Sequence, residues 1–300
     1  MARKHIEPFV DREVPFKKMT LPGFKKGMNY KMLSIDEDTG ACTMTVRFDK
    51  GYKLPPGMSY TEYEMVIMKG SIKYGGDVCN AGYYLRVPAG VHMPAMSVPR
   101  GAEVLLMYNF AEPSFVESDE DHRLAMRDQL TIVDSYEDLQ WMPTSGAIYP
   151  AVAPGCLLKI LKYDPLTEAL SFLYCMTPKF WQDNISYHDC AEEAYHIWGT
   201  SWMMQFGDLP TGGYFFRPPW INHGAFRSEL GILAFGRTDS KLHNYFHWNP
   251  WTSPEENRER AVAQLARTKP DLFNWTLSKD GHNHPHDFEN PDWKEKSNYF

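Results

Sequence analysis

Between Ser186 and His223 the chain carries two histidines and a carboxylate spaced so that one metal ion could hold all three. His188 and Glu192 lie in Ser186-Tyr187-His188-Asp189-Cys190-Ala191-Glu192-Glu193, and His223 closes Gly213-Tyr214-Phe215-Phe216-Arg217-Pro218-Pro219-Trp220-Ile221-Asn222-His223. Two imidazoles and one carboxylate leave coordination positions open for water, oxygen or substrate. That set suits non-haem Fe(II) best, with Zn, Mn and Ni as alternatives. Gly199 and the Pro218-Pro219 pair break the segment into short runs. These read as neighbouring antiparallel strands whose inward residues meet inside a barrel.

Strands must therefore position these groups, and the rest of the chain reads as strands too. Residues 42–48, 65–68, 103–108 and 230–235 are short apolar or alternating runs bounded by Gly, Pro and Asp clusters, the pattern of a double-sheet β fold. The clearest helical stretch runs from 253 to 267, with Ser253 as N-cap, Pro254 next and Glu255 and Glu256 in the first turn. Residues 113–145, acidic and containing Pro143, read as a connection.

The segment has a second copy upstream. Gly82-Tyr83-Tyr84-Leu85-Arg86-Val87-Pro88-Ala89-Gly90-Val91-His92 repeats the run from Gly213 to His223 at an offset of 131 residues. Glu64 and Gly70 match Glu193 and Gly199 at 129, and Asp36 and Thr39 match Asp164 and Thr167 at 128. A repeat this long is a duplicated domain; solenoid units recur every 20 to 50 residues or so. The copies differ chemically. Ser59 aligns with His188, Tyr63 with Glu192 and Ile67 with His196, and only His92 survives of the candidate ligands. The first copy is thus expected to be a degenerate partner that supplies packing, with a second, weaker metal or ligand site at His92 as the alternative.

These motifs resemble the cupin superfamily, whose first motif is a His-x-His pair followed by a glutamate and a glycine, and whose second runs from a glycine through a proline to a histidine. His188, Glu192 and Gly199 fall at matching positions of the first and Gly212, Pro218 and His223 at those of the second, while Ser186 replaces the first histidine and Trp220 a second-motif glycine. The resemblance spans residues 25–250 and is to a bicupin, closest to cupins related to the zinc-binding domain of an anti-sigma factor. It implies an all-β fold of two jelly-roll barrels in tandem with a short helical, aromatic-rich C-terminal extension. The expected divisions are 1–145 for the N-terminal barrel with its connection, 146–250 for the C-terminal barrel with the metal site, and 251–300 for helix and tail. His188, Glu192 and His223 are then the expected ligands. His196, four residues past Glu192 and so on the same strand face, is a candidate for the place lost at Ser186, for acid/base work or for core packing, and Glu193 is a candidate base.

Several features are read against function. Arg217 and Arg86 recur at one motif position, which favours a structural salt bridge or turn contact over anion binding. Cys190 reads as loop filler rather than a ligand. Trp198, Trp202, Tyr214, Phe216, Trp220 and Phe226 are expected around the site, mostly as core, in a pocket suited to an apolar or aromatic small molecule. The His282, His284 and His286 tract reads as a tail packed on a barrel or a neighbouring copy rather than a metal site, and a homodimer is expected.

A net charge of −7 without a basic cluster argues against nucleic acid. No apolar run suggests a secretory signal or membrane span, and five scattered cysteines fit reduced thiols in a cytoplasm. Three functions follow: foremost a non-haem Fe(II) dioxygenase, for which the resemblance implies cleavage of a C–C bond in a small diketone or phenolic compound. The others are a redox-neutral isomerase, lyase or hydrolase, and a metal- or ligand-sensing cupin that is no enzyme.

Overall fold

The computed structural model describes residues 3–148, 150–204 and 207–246, together with 263, 266, 267 and 270. The chain divides into two compact units, one built on Glu13–Leu139 and one that joins Lys4–Arg12 to the stretch beginning at Gln140. Ile6–Val10 supplies a strand to the second unit by pairing with Gly213–Arg217.

Each unit is a jelly-roll cupin barrel, and the two are built alike. In the first, the main sheet runs Thr131–Asp134, Tyr83–Val87, Tyr63–Tyr74, Ala102–Tyr108, Cys42–Phe48, Met28–Ile35 and Lys17–Lys18. In the second the order is Ile6–Val10, Gly213–Arg217, Glu192–Gly199, Ile232–Thr238, Leu170–Met176, Cys156–Tyr163 and Met142–Pro143. All these pairings are antiparallel. The strands form because β-branched and aromatic residues alternate with polar ones, and the apolar set is drawn to one side. In the first unit that set includes Met44, Val46, Ile67, Leu85, Val104 and Leu106, all buried.

The second unit closes with another sheet, in the order Gly207–Leu209, Ser201–Met203, His223–Ser228, Phe180–His188 and Asn244–Phe246. Ile148, Leu158, Leu170, Phe172, Cys190 and Leu242 form one buried cluster in this unit. Cys190, expected as loop filler, is packed in this core.

The duplication extends to single hydrogen bonds. Asp36 Oδ1 accepts the amides of Asp38 and Thr39, and Asp164 Oδ1 accepts those of Leu166 and Thr167. The same side-chain-capped turn thus starts both hairpins. Gly70 and Gly199 have φ of +79° and +87°, and a Cβ there would meet the carbonyl oxygens of Gly101 and Gly231 at 2.3 and 2.2 Å. Only glycine fits such a crossing of strands.

The helix expected over 253–267 lies almost wholly outside the described residues, although Ala263, Ala266 and Arg267 are helical. The His282, His284 and His286 tract lies outside them altogether. Among the described residues no helix is long and apolar enough to cross a membrane.

Candidate metal centre

His188 is the last residue of Phe180–His188, Glu192 the first of Glu192–Gly199, Arg217 the last of Gly213–Arg217 and His223 the first of His223–Ser228. The histidines stand on the five-stranded sheet, where Ser186 pairs with His223. Glu192 and Arg217 face each other across the seven-stranded sheet. The fold thus gathers four strand ends between two sheets.

Ligand atoms of His188, Glu192 and His223 lie within 4.8 Å of one another. His223 Nε2 is 3.0 Å from His188 Nε2, and Glu192 Oε2 is 3.5 Å from His188 Nε2 and 3.9 Å from His223 Nε2. The Nδ1 atoms turn the other way, that of His223 to the Ile221 carbonyl at 2.8 Å and that of His188 to the His243 carbonyl at 3.4 Å. With the proton on Nδ1, donated to the carbonyl, each ring would present its Nε2 lone pair to the other and to the carboxylate. Three converging electron-pair donors repel unless a cation lies between them, and backbone-held Nδ1–H groups are the usual support of metal-bound imidazoles.

The local electrostatics favour the ligand forms of Glu192 and His223. Burial would raise the Glu192 carboxyl, but His188, His223 and Arg217 outweigh it and hold it at about 2. Burial, with the Arg217 charge and His188 beside it, pushes the His223 imidazole well below its usual value. A carboxylate and a neutral imidazole are the forms that bind a metal.

Two further candidates fall elsewhere. His196 shares the inward face with Glu192, but four residues along a strand span about 13 Å, and it is outside the ligand cluster. It therefore cannot fill the place lost at Ser186. Its Nδ1 donates to the Leu209 carbonyl at 2.9 Å, and burial lowers its imidazole to about 4. The ring is thus a neutral wall of the cavity with Nε2 as acceptor. Glu193, one residue on from Glu192, points to the opposite face because side chains alternate along a strand. There it pairs with Arg237 and accepts the Tyr214 hydroxyl at 2.5 Å. It is not among the residues lining the cavity, so a catalytic role for Glu193 is withdrawn.

The cavity has a volume of about 90 Å³ and is lined by His188, Glu192, His196, Arg217 and His223, with Leu158, Phe172, Phe180, Phe215, Phe226 and Leu242 among its apolar walls. Of the aromatic residues expected around the site only Phe226 lines it. Tyr214 and Phe216 point to the other face, Trp198 and Trp220 are exposed, and Phe215 was missed because the strand's inward parity was not fixed by composition.

The first barrel shows why sequence alignment misled by one residue. The Gly82 amide bonds the Ile67 carbonyl as Gly212 bonds that of His196, and the Gly90 amide bonds Ser59 as Trp220 bonds His188. Gly90 and Trp220 share a left-handed φ, +74° and +72°. The true offset here is 130, one less than the sequence match, so His223 corresponds to Met93 and Arg217 to Val87. Met93 pairs with Gly57 as His223 pairs with Ser186. The three ligand places are thus Ser59, Tyr63 and Met93 in the first barrel, all lining its own apolar cavity. His92 stands beside the ligand place rather than in it, with its amide held by Asp121. Arg86 faces outward and pairs with Glu62 at 2.8 Å.

Residues 19–245 match the family described as "Domain of unknown function (DUF4437)". No curated protein matches the chain by sequence. Among solved structures it is similar to a "putative dioxygenase" of Nostoc punctiforme, at 22% identity and a TM-score of 0.72, covering 80% of this chain and 88% of that one. It is also similar to oxalate decarboxylase of Bacillus subtilis, at 13% identity and a TM-score of 0.52, over 88% and 84% of the two chains. Another structure of that enzyme, described by its Mn(II) centres, matches at 12% and 0.50 over 81% and 78%. These likenesses carry the bicupin fold; a closer relation to the anti-sigma-factor domain is not shown by them.

Proposed function

This chain belongs to the DUF4437 family, and from its bicupin frame and its single ligand cluster among the described residues we propose that it is a metal-dependent enzyme, foremost a non-haem Fe(II) dioxygenase. The observation that carries the reading is the meeting of His188 Nε2, His223 Nε2 and a Glu192 carboxylate oxygen at one point. Bound there, Fe(II) would supply O₂ activation, the substrate's C–C bond being broken and both oxygen atoms ending in the products, so that no external reductant is needed.

The chain's own residues do the rest. The Ile221 and His243 carbonyls fix both imidazoles with their lone pairs inward. Glu192 stays anionic. The phenyl and leucyl walls exclude water and favour a small oxygenated compound of apolar body, a diketone or a phenol. The Nostoc punctiforme likeness supports this chemistry.

A redox-neutral reaction at Mn is the second reading, and the Mn(II) centres of the oxalate decarboxylase favour it. The two part in one experiment: metal analysis of anaerobically purified, untagged protein, with O₂ uptake on diketones and phenols. About one Fe per chain with O₂ uptake supports the dioxygenase. Stoichiometric Mn or Zn without uptake turns the reading to the redox-neutral enzyme, and a chain that takes up no metal overturns both.

A further inference from the structure

Arg217 is a buried charge that feels the Glu192 carboxylate across the sheet without forming a salt bridge to it. Its side chain is buried, with the residue 4% exposed, and it lines the metal-site cavity. It starts directly across the sheet from Glu192, yet the guanidinium folds over the Phe215 ring at 4.1 Å and places Nη2 2.9 Å from the Met203 sulfur. Among the described residues no carboxylate stands within salt-bridge distance of it, and Nη1 is buried without a hydrogen-bond partner. The salt bridge expected for this arginine is the one made by Arg86, on the other face of the other barrel.

A buried cation without a salt bridge is expensive to keep, and a thioether is a weak acceptor that does little to offset it. The duplication shows that the fold does not require one. At the equivalent place the first barrel has Val87, 1% exposed, and that barrel also lacks the ligands, with Ser59, Tyr63 and Met93 in their places. Arginine and ligands occur together in one copy and are absent together from the other. The arginine therefore belongs with the site rather than with the scaffold.

We propose that Arg217 is the anion anchor of this cavity, and that the substrate is a small apolar monocarboxylic acid whose carboxylate pairs with the guanidinium while its body lies against Phe172, Phe180 and Phe226. A planar fork of donors held by Phe215 matches a carboxylate in two-point fashion, and no second lysine or arginine lines the cavity to hold another acid group. The inference deepens the reading of this cavity as a substrate site and narrows the diketone or phenol class to members that carry a carboxylate.

The test is calorimetric binding of matched pairs, benzoate, phenylacetate and 3-phenylpropionate, each against its neutral amide. Wild type, Arg217→Met and Arg217→Lys are measured with and without added metal. The expected result is that at least one carboxylate binds wild type about 10- to 100-fold more tightly than its amide. Arg217→Met should lose that preference and Arg217→Lys keep part of it, while metal content stays that of wild type. Arg217→Met should also melt no lower than wild type, because a methionine of similar volume removes a buried unpaired charge.

No carboxylate preference in wild type for any pair, absence of binding included, overturns the proposal. So does a preference that survives in Arg217→Met, and so does a marked fall in the melting temperature of that variant, which would make the arginine structural. A carboxylate preference in a chain that takes up no metal would leave this inference standing and remove the enzymatic reading above.

Discussion

Met93 holds in the first barrel the place that His223 holds in the second. Each pairs with the strand residue at the matching position, Gly57 for Met93 and Ser186 for His223. One backbone position thus carries a thioether in one copy and a candidate metal-ligating imidazole in the other. The difference between a barrel with an apolar cavity and one with a candidate centre lies in the side chains at matching positions.

Metal binding should follow that difference. Added Fe(II) or Mn(II) at about a hundred times its dissociation constant stabilises the folded chain by about 2.7 kcal/mol, which for a domain of this size raises Tm by roughly 5–10 °C. His223→Ala should abolish both the shift and the bound metal, whereas His92→Ala should change neither. Metal analysis with differential scanning fluorimetry checks this, and an equal loss in His92→Ala would mean that the first barrel binds metal.

His196 sets a pH dependence of stability. Its imidazole is held at about 4 in the fold by burial, against an ordinary value of 6.5. Between those values the unfolded chain takes up a proton that the folded chain refuses, so stability falls as pH drops through this window. The loss from this one group is about 3 kcal/mol. In His196→Gln the metal-free protein should lose stability over pH 6.5 to 4 with a slope smaller by about one proton. Urea unfolding at a series of pH values gives the slope, and identical slopes would contradict the assignment.

Glu193 should matter to stability and not to metal. Glu193→Ala leaves Arg237 without its buried carboxylate and Tyr214 without its acceptor, a change expected to cost about 3–5 kcal/mol. Metal content per folded chain should remain that of wild type. A folded Glu193→Ala variant that had lost metal would return this residue to the site.

Gly199 can be separated from an ordinary left-handed glycine. Gly51→Ala meets nothing within 4 Å at φ +84° and should cost only about 1–2 kcal/mol for its backbone conformation. Gly199→Ala adds contact with the Gly231 carbonyl oxygen at 2.2 Å and the Ile232 Cα at 2.9 Å, and should be clearly the less stable of the two by equilibrium unfolding.

Much of this protein is legible in its residues taken in order. Alternating apolar runs dictate strands, the duplicated Asp-x-x-Thr turn and Glu-to-Gly spacing dictate two copies of one unit, and His188, Glu192 and His223 are the residues the fold brings together. Local chemistry suffices for these because strand period and turn capping act over a few residues. What needed the tertiary structure was register and distance. A one-residue slip sends every side chain of a strand to the other face, and only hydrogen bonds between distant segments, such as Gly82 to Ile67 and Gly212 to His196, decide it. That slip turns Arg217 inward opposite Glu192, turns Arg86 outward to Glu62, and puts Met93 where His92 was expected. Distance decided the rest: His196 shares a face with Glu192 but lies too far along the strand to share its ion.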